Sequence, residues 1–194
     1  MPSIKSVCVY CGSSNRVDPK FLDAATELGR LMGAAGLKLI YGGGRVGLMG
    51  RVADGVLATG GSVVGIIPGH LHAREVAHPG VSELLVVETM HERKQLMAEQ
   101  ADAFVVLPGG YGTLDEMFEI ITWRQLGLHD KPLVLVDLFG YWTPLAQLLD
   151  TIIDTGFAQP ESRQLYHTVS SIAEILPALA EAQPSRIAVE TKWM

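Results

Sequence analysis

From end to end, the chain alternates short unbroken apolar runs with longer segments of helical spacing. SVCVY, LKLIY, SVVGIIP, LLVVE, AFVVLP and KPLVLV are too short for independent helices. They also lack the polar residue at every second position that marks a half-exposed strand. Strands apolar on both sides belong in a parallel sheet covered on both faces. Between them lie segments such as PKFLDAATELGRLMGAAG, in which Phe21, Leu22, Ala25, Leu28 and Leu31 recur at spacings of three and four and Gly36 can end the helix. Right-handed crossovers then give a doubly wound, Rossmann-like α/β sheet of six or seven strands, with LYHTVSS as the last. The expected organisation is one domain over residues 1–194, with a polar tail from about residue 184 lying at its periphery.

In such sheets ligands bind beyond the carboxyl ends of the strands. That selects Gly12-Ser13-Ser14, Gly42 to Gly47, Pro68 to Pro79 and Pro108 to Thr113. Gly42-x-Gly44-x-x-Gly47 matches a dinucleotide fingerprint, but the next strand ends Ile67-Pro68-Gly69-His70, without the carboxylate that would hold a ribose. The loop reads instead as a tight turn that admits a nucleotide or another backbone, with Gly43 a candidate contact. Ser13 and Ser14 suit either a helix cap or a hydrogen bond to a nucleotide.

PGGYGTLDE, Pro108 to Glu116, follows an apolar strand and leads into a helix. The amides of Gly109, Gly110, Tyr111, Gly112 and Thr113 can gather around one anion, and the helix dipole favours that charge. No Gly-Lys-Ser/Thr follows, so the cradle suits a monophosphate better than a magnesium-bound triphosphate. Two readings of Glu116 stand side by side. Thr113-x-x-Glu116 has capping-box spacing, which makes Glu116 a structural residue. The same carboxylate, one turn from a phosphate, is also placed to act on the attached sugar.

Other features carry bland readings. In MHERK, Met90 to Lys94, the charges resemble a solvated helix face. Cys8 and Cys11 form a C-x-x-C inside a strand, which fits buried core thiols better than a redox pair. His70, His72 and His78 lack the companions a metal site needs. Met117, Phe118, Ile120, Ile121, Trp123 and Leu126 go nearly all round one helix, as at a subunit interface or in a central core. A formal charge of −6 with no basic run argues against a nucleic-acid partner. No apolar run approaches the roughly 18 residues of a membrane span, nor is VCVYC long enough for a signal peptide. The expected setting is cytoplasmic.

YGGGRVGLMG, MHERK and PGGYGTLDE, in this order on this alternating pattern, together resemble the LOG ("Lonely guy") family. Its members are cytokinin riboside 5′-monophosphate phosphoribohydrolases, formerly labelled lysine decarboxylases. The likeness runs from the GSS turn to about Gly156 and leaves the C-terminal tail out. It implies hydrolysis of the N-glycosidic bond of a purine nucleoside 5′-monophosphate, giving free base and ribose 5-phosphate without cofactor or metal. It also implies a homodimer with sites near the interface. By the same resemblance Arg93 and Glu116 would be catalytic, Gly110 to Thr113 would hold the phosphate, and Lys94 and Glu75 would touch substrate. Decarboxylation would need a Schiff-base lysine facing a cradle. Only Lys94 comes near that position, and it begins a helix. The alternative function is a nucleotide-binding module of the same fold without catalysis.

Overall fold

The computed structural model describes residues 4–72 and 77–182. Glu75 and the tail from about residue 184 therefore lie outside the described residues. Each apolar run forms a strand: β1 (Ser6–Tyr10), β2 (Lys38–Tyr41), β3 (Val63–Pro68), β4 (Glu83–Val87), β5 (Ala103–Val106), β6 (Leu133–Val136) and a short β7 (His167–Val169). They join in one sheet, ordered β4-β3-β2-β1-β5-β6-β7. Every pairing is parallel. The expected doubly wound, Rossmann-like sheet is the fold observed, with seven strands.

Between the strands run α1 (Pro19–Ala34), α2 (Gly47–Ala58), a single turn α3 (Gly69–His72), α4 (Met90–Gln100), α5 (Tyr111–Gln125), α6 (Thr143–Asp154) and α7 (Ile175–Glu181). Alternate residues of β1 feed two cores. Val7 and Val9 pack with Ala25, Leu28 and Val52 of α1 and α2 and with Ile175 of α7. Cys8 and Tyr10 face Met97 of α4 and Met117 and Ile120 of α5. Burying side chains of this size stabilises the fold by about 1.5–3 kcal/mol each. The two cysteines belong to opposite cores, so the C-x-x-C spacing does not bring them together. Both are free and buried, and burial pushes both thiols well above the ordinary range.

Against the sheet, α1 and α2 pack nearly backbone to backbone. A Cβ on Gly29 would lie 2.2 Å from the Val52 carbonyl, and one on Gly55 2.6 Å from that of Thr26.

Strand succession reverses beside β1. On one side the chain builds outward through β2, β3 and β4, on the other through β5, β6 and β7. The carboxyl ends of β1 and β5 thus flank the switch point, where open α/β sheets hold their ligands. There the Gly12 amide donates to the Pro108 carbonyl at 3.0 Å, joining two of the expected loops. Among the described residues, no helix is long and apolar enough to cross a membrane.

Candidate active site

PGGYGTLDE departs from its capping-box reading. The helix starts two residues before Thr113: Gly110 is the cap residue and α5 opens at Tyr111. Gly110 offers no side chain, and the first bond of the helix runs from the Leu114 amide to the Gly110 carbonyl. The amides of Gly110, Tyr111, Gly112 and Thr113 precede that bond and are the donors a helix start leaves over. Above Gly110 and Gly112 there is open space. Thr113 is buried, with its side chain filling the place a Gly109 Cβ would take, 2.1 Å from Oγ1. Tyr111, by contrast, is 94% exposed.

Glu116 lies one turn further along and is buried. Its Oε1 is 3.3 Å from Nη2 of Arg93, so its partner is a guanidinium and not a helix-end amide. Burial raises its pKa to about 7, outweighing the opposing pull of Arg93, and the neighbouring charge of Asp115 adds to the rise.

The T-x-x-E that does cap a helix stands elsewhere. At the start of α4, Thr89 Oγ1 accepts from the Glu92 amide at 3.1 Å, and the Glu92 carboxylate accepts from the Glu88 amide at 2.9 Å. Residues 89 and 92 thereby fix the turn that presents MHERK. Its two cations are not on a solvated face: Arg93 and Lys94 are both buried, while Glu92 is exposed. Arg93 Nε donates to the Ile66 carbonyl of β3 at 3.2 Å, which holds the guanidinium across the strand ends. Lys94 Nζ sits 3.1 Å from both Asp115 and Glu119 of α5. Burial disfavours its charge, but the hydrogen bonds to Glu119 and Asp115 together raise its pKa. Held as an ammonium, Lys94 is unsuited to forming a Schiff base.

The glycine loop serves this pair directly. A Cβ on Gly42 would lie 1.9 Å from Arg93 Nη2, so only glycine leaves the guanidinium its place. Gly47, at φ 68°, has the backbone of Ser13 and Ser14 where its Cβ would be, at 2.4–2.7 Å. The start of α2 is closed by protein groups. Gly12 O accepts from the Leu48 amide at 2.9 Å, and Asn15 Oδ1 from the Gly47 amide at 2.9 Å. Those donors are occupied, so this helix end does not offer a pyrophosphate site. Close backbone approach at this loop is seen at Gly47. Gly43 turns inward, its carbonyl accepting from the His78 amide at 3.0 Å.

Ser13 and Ser14 are exposed beside the cradle, and Ser14 Oγ accepts from the Arg16 amide at 3.1 Å. His78 pairs with Asp54 at 2.9 Å, while His70 and His72 lie on α3.

The molecule is therefore an α/β protein with an open amide cradle and a buried carboxylate–guanidinium pair at its switch point. Residues 49–179 match the family described as "Possible lysine decarboxylase". The chain is 43% identical over 191 residues to the probable cytokinin riboside 5′-monophosphate phosphoribohydrolase LOGL2 of Oryza sativa subsp. japonica, covering 97% of this chain and 78% of that one. It is 42% identical over 188 residues to the cytokinin riboside 5′-monophosphate phosphoribohydrolase LOG3 of Arabidopsis thaliana, covering 97% and 87%. The chain belongs to this family, the LOG family. Among solved structures, the molybdenum cofactor carrier protein of Chlamydomonas reinhardtii shares the fold, with a TM-score of 0.71 and 23% identity over 93% of this chain and 98% of that one. TM1055 superposes with a TM-score of 0.70 at 26% identity, over 92% and 99%.

Proposed function

We propose that the protein hydrolyses the N-glycosidic bond of purine ribonucleoside 5′-monophosphates, AMP or its cytokinin counterparts, to free base and ribose 5-phosphate. The observation that carries this reading is Glu116: a buried carboxylate with pKa about 7, held by Arg93 and standing one turn from an open cradle of amides. The names of the relatives support the reaction class.

The cradle from Gly110 to Thr113 binds the 5′-phosphate and fixes the ribose by one end. As the bond from sugar to base breaks, its electron pair leaves with the base nitrogen and positive charge develops on the sugar. Glu116 stabilises that charge and takes a proton from the water that adds to the anomeric carbon. A carboxyl with pKa near 7 suits proton transfer at neutral pH. Arg93 aims Glu116; a guanidinium is a poor general acid, so the base nitrogen takes its proton from solvent. Lys94, tied to Asp115 and Glu119, braces α4 against α5 from the other side of that pair.

A homodimer is part of this reading. Phe118, Ile121 and Trp123 of α5 are only partly buried, and α6 has no fully buried residue. Leu148 of α6 and Phe157 just after it are 52% and 88% exposed.

The test is chromatography of AMP and isopentenyladenosine monophosphate after incubation with wild type and Glu116→Gln. Free base from wild type, and at least a hundredfold less from the variant at equal folded concentration, is the expected result (on the order of a catalytic acid–base contribution). Intact nucleotide with wild type, alongside measurable binding, would leave the non-catalytic module. Equal rates on adenosine and AMP would sink the role of the cradle.

A further inference from the structure

We infer that Tyr141 is a positioning residue for the phosphate cradle, acting through the peptide that joins Gly109 to Gly110. This rests on the function proposed above and adds a residue outside the three motifs that define the site. Tyr141 follows β6, in the loop before α6, and its hydroxyl donates to the Gly109 carbonyl at 2.6 Å. A trans peptide is planar, with its carbonyl and its amide pointing in opposite directions. No cis bond occurs in the described residues. Pinning the Gly109 oxygen on the Tyr141 side therefore aims the Gly110 amide away from it, at the start of α5. With no side chains of their own, Gly109 and Gly110 have many other orientations open to them. The hydroxyl selects one.

Its surroundings hold this tyrosine in place. The ring meets Phe21 edge-on at 5.8 Å and Trp142 at 4.7 Å. Asp137 anchors the turn below, its carboxylate accepting from the Trp142 amide and, at 3.1 Å, from the Thr143 hydroxyl. Phe139, two residues earlier, adopts φ 57°, the one positive φ outside glycine among the described residues. For a bulky side chain this conformation is costly, and such strain persists where the surroundings require it. Phe139 packs edge-on against Phe21 at 5.4 Å, and Lys20 Nζ lies 4.7 Å from its ring centroid. Tyr141 itself is held by the Asp137 turn and by the Phe21 and Trp142 rings, within reach of the loop after β5.

Tyr141→Phe removes the hydroxyl and keeps the ring; Phe139→Asn relieves the backbone at that position and keeps the hydroxyl. Affinity for ribose 5-phosphate and for ribose is measured by calorimetry on both variants, with kcat and KM for AMP alongside. Tyr141→Phe should weaken ribose 5-phosphate binding about three- to tenfold, the worth of one neutral hydrogen bond. Ribose affinity should stay unchanged, Tm should fall by about 2–4 °C at most, KM for AMP should rise by the same factor, and Phe139→Asn should bind as wild type. Unchanged ribose 5-phosphate affinity in Tyr141→Phe overturns the assignment. So does equal weakening toward ribose, or the same loss in Phe139→Asn. If wild type hydrolyses no nucleotide, the proposed function fails, yet the binding measurements still decide what Tyr141 does.

Discussion

In the proposed reaction Glu116 carries most of the chemistry, and the start of its helix separates its two readings. Thr113-x-x-Glu116 and Thr89-x-x-Glu92 have the same spacing, and only the second caps a helix. α5 begins at Tyr111, two residues before Thr113, which carries Glu116 past the capping position and toward Arg93. Nothing local in the sequence reports that pair, because its members lie on different helices and meet only in the folded chain. The raised pKa of Glu116 has two consequences. In the free enzyme the reactive form is the carboxylate, so kcat/KM should rise with pH and level off above an apparent pKa near 7. A profile flat between pH 5 and 8 would remove Glu116 from the proton transfer. The second consequence concerns stability. Between about 4.5 and about 7 the native state holds a proton that the unfolded chain has lost, so the contribution of Glu116 to stability falls as pH rises through that window. The full drop is about 3 kcal/mol at most. Glu116→Gln lacks this titration, and urea titrations at pH 4.5 and 7.5 should show wild type losing ground to it. Parallel losses would mean that the carboxyl is not held as described.

At the scale of elements, the order of strands and helices was legible because buried parallel strands leave an unbroken apolar signature. The short turn α3 has no such signature, and β7 is only three residues long. The glycine loop shows how far a motif can mislead. Its pattern is that of a dinucleotide fingerprint, yet Gly47 is there for the Ser13–Ser14 backbone and Gly42 for the guanidinium of Arg93. A sequence shows that glycine is present but not what would collide with anything larger. Gly42→Ala separates the two kinds of cost. The group displaced is the end of a flexible side chain, so stability should change by about 1 kcal/mol or less. Activity should fall about a hundredfold, because Arg93 no longer aims Glu116. A thermal melt and a rate assay on the same preparation check both, and near-normal turnover would mean that Arg93 is not needed where it stands. Thr89→Ala makes the contrasting case. It removes a helix cap, so stability should fall by about 1 kcal/mol while Glu116 keeps its pair.

At the scale of the whole molecule, the apolar circumference of α5 signals more burial than one chain provides. Met117 and Ile120 are sealed against the sheet, whereas Phe118, Ile121 and Trp123 remain partly open. In α6 the same shortfall is larger, since an amphipathic helix of twelve residues buries none of them fully. Large apolar faces left open in this way mark contact with another chain. A second copy is the partner proposed, and α5 would then carry both the interface and the catalytic carboxylate. Sedimentation of the wild type should therefore give twice the 20.9 kDa of the chain. Ile121→Asp sets a charge in the proposed contact and should shift the protein to monomer at micromolar concentration. Its side chain is only partly buried in the single chain, so the fold should survive, and an unchanged near-ultraviolet circular dichroism spectrum would establish that. Because the interface helix also holds Glu116, the monomer should lose turnover in step with dimer dissociation when protein concentration is varied. A wild type that sediments at the mass of one chain would sink the dimer. A fully active Ile121→Asp monomer would instead show a site complete in one chain, with the open faces of α5 and α6 serving some other contact.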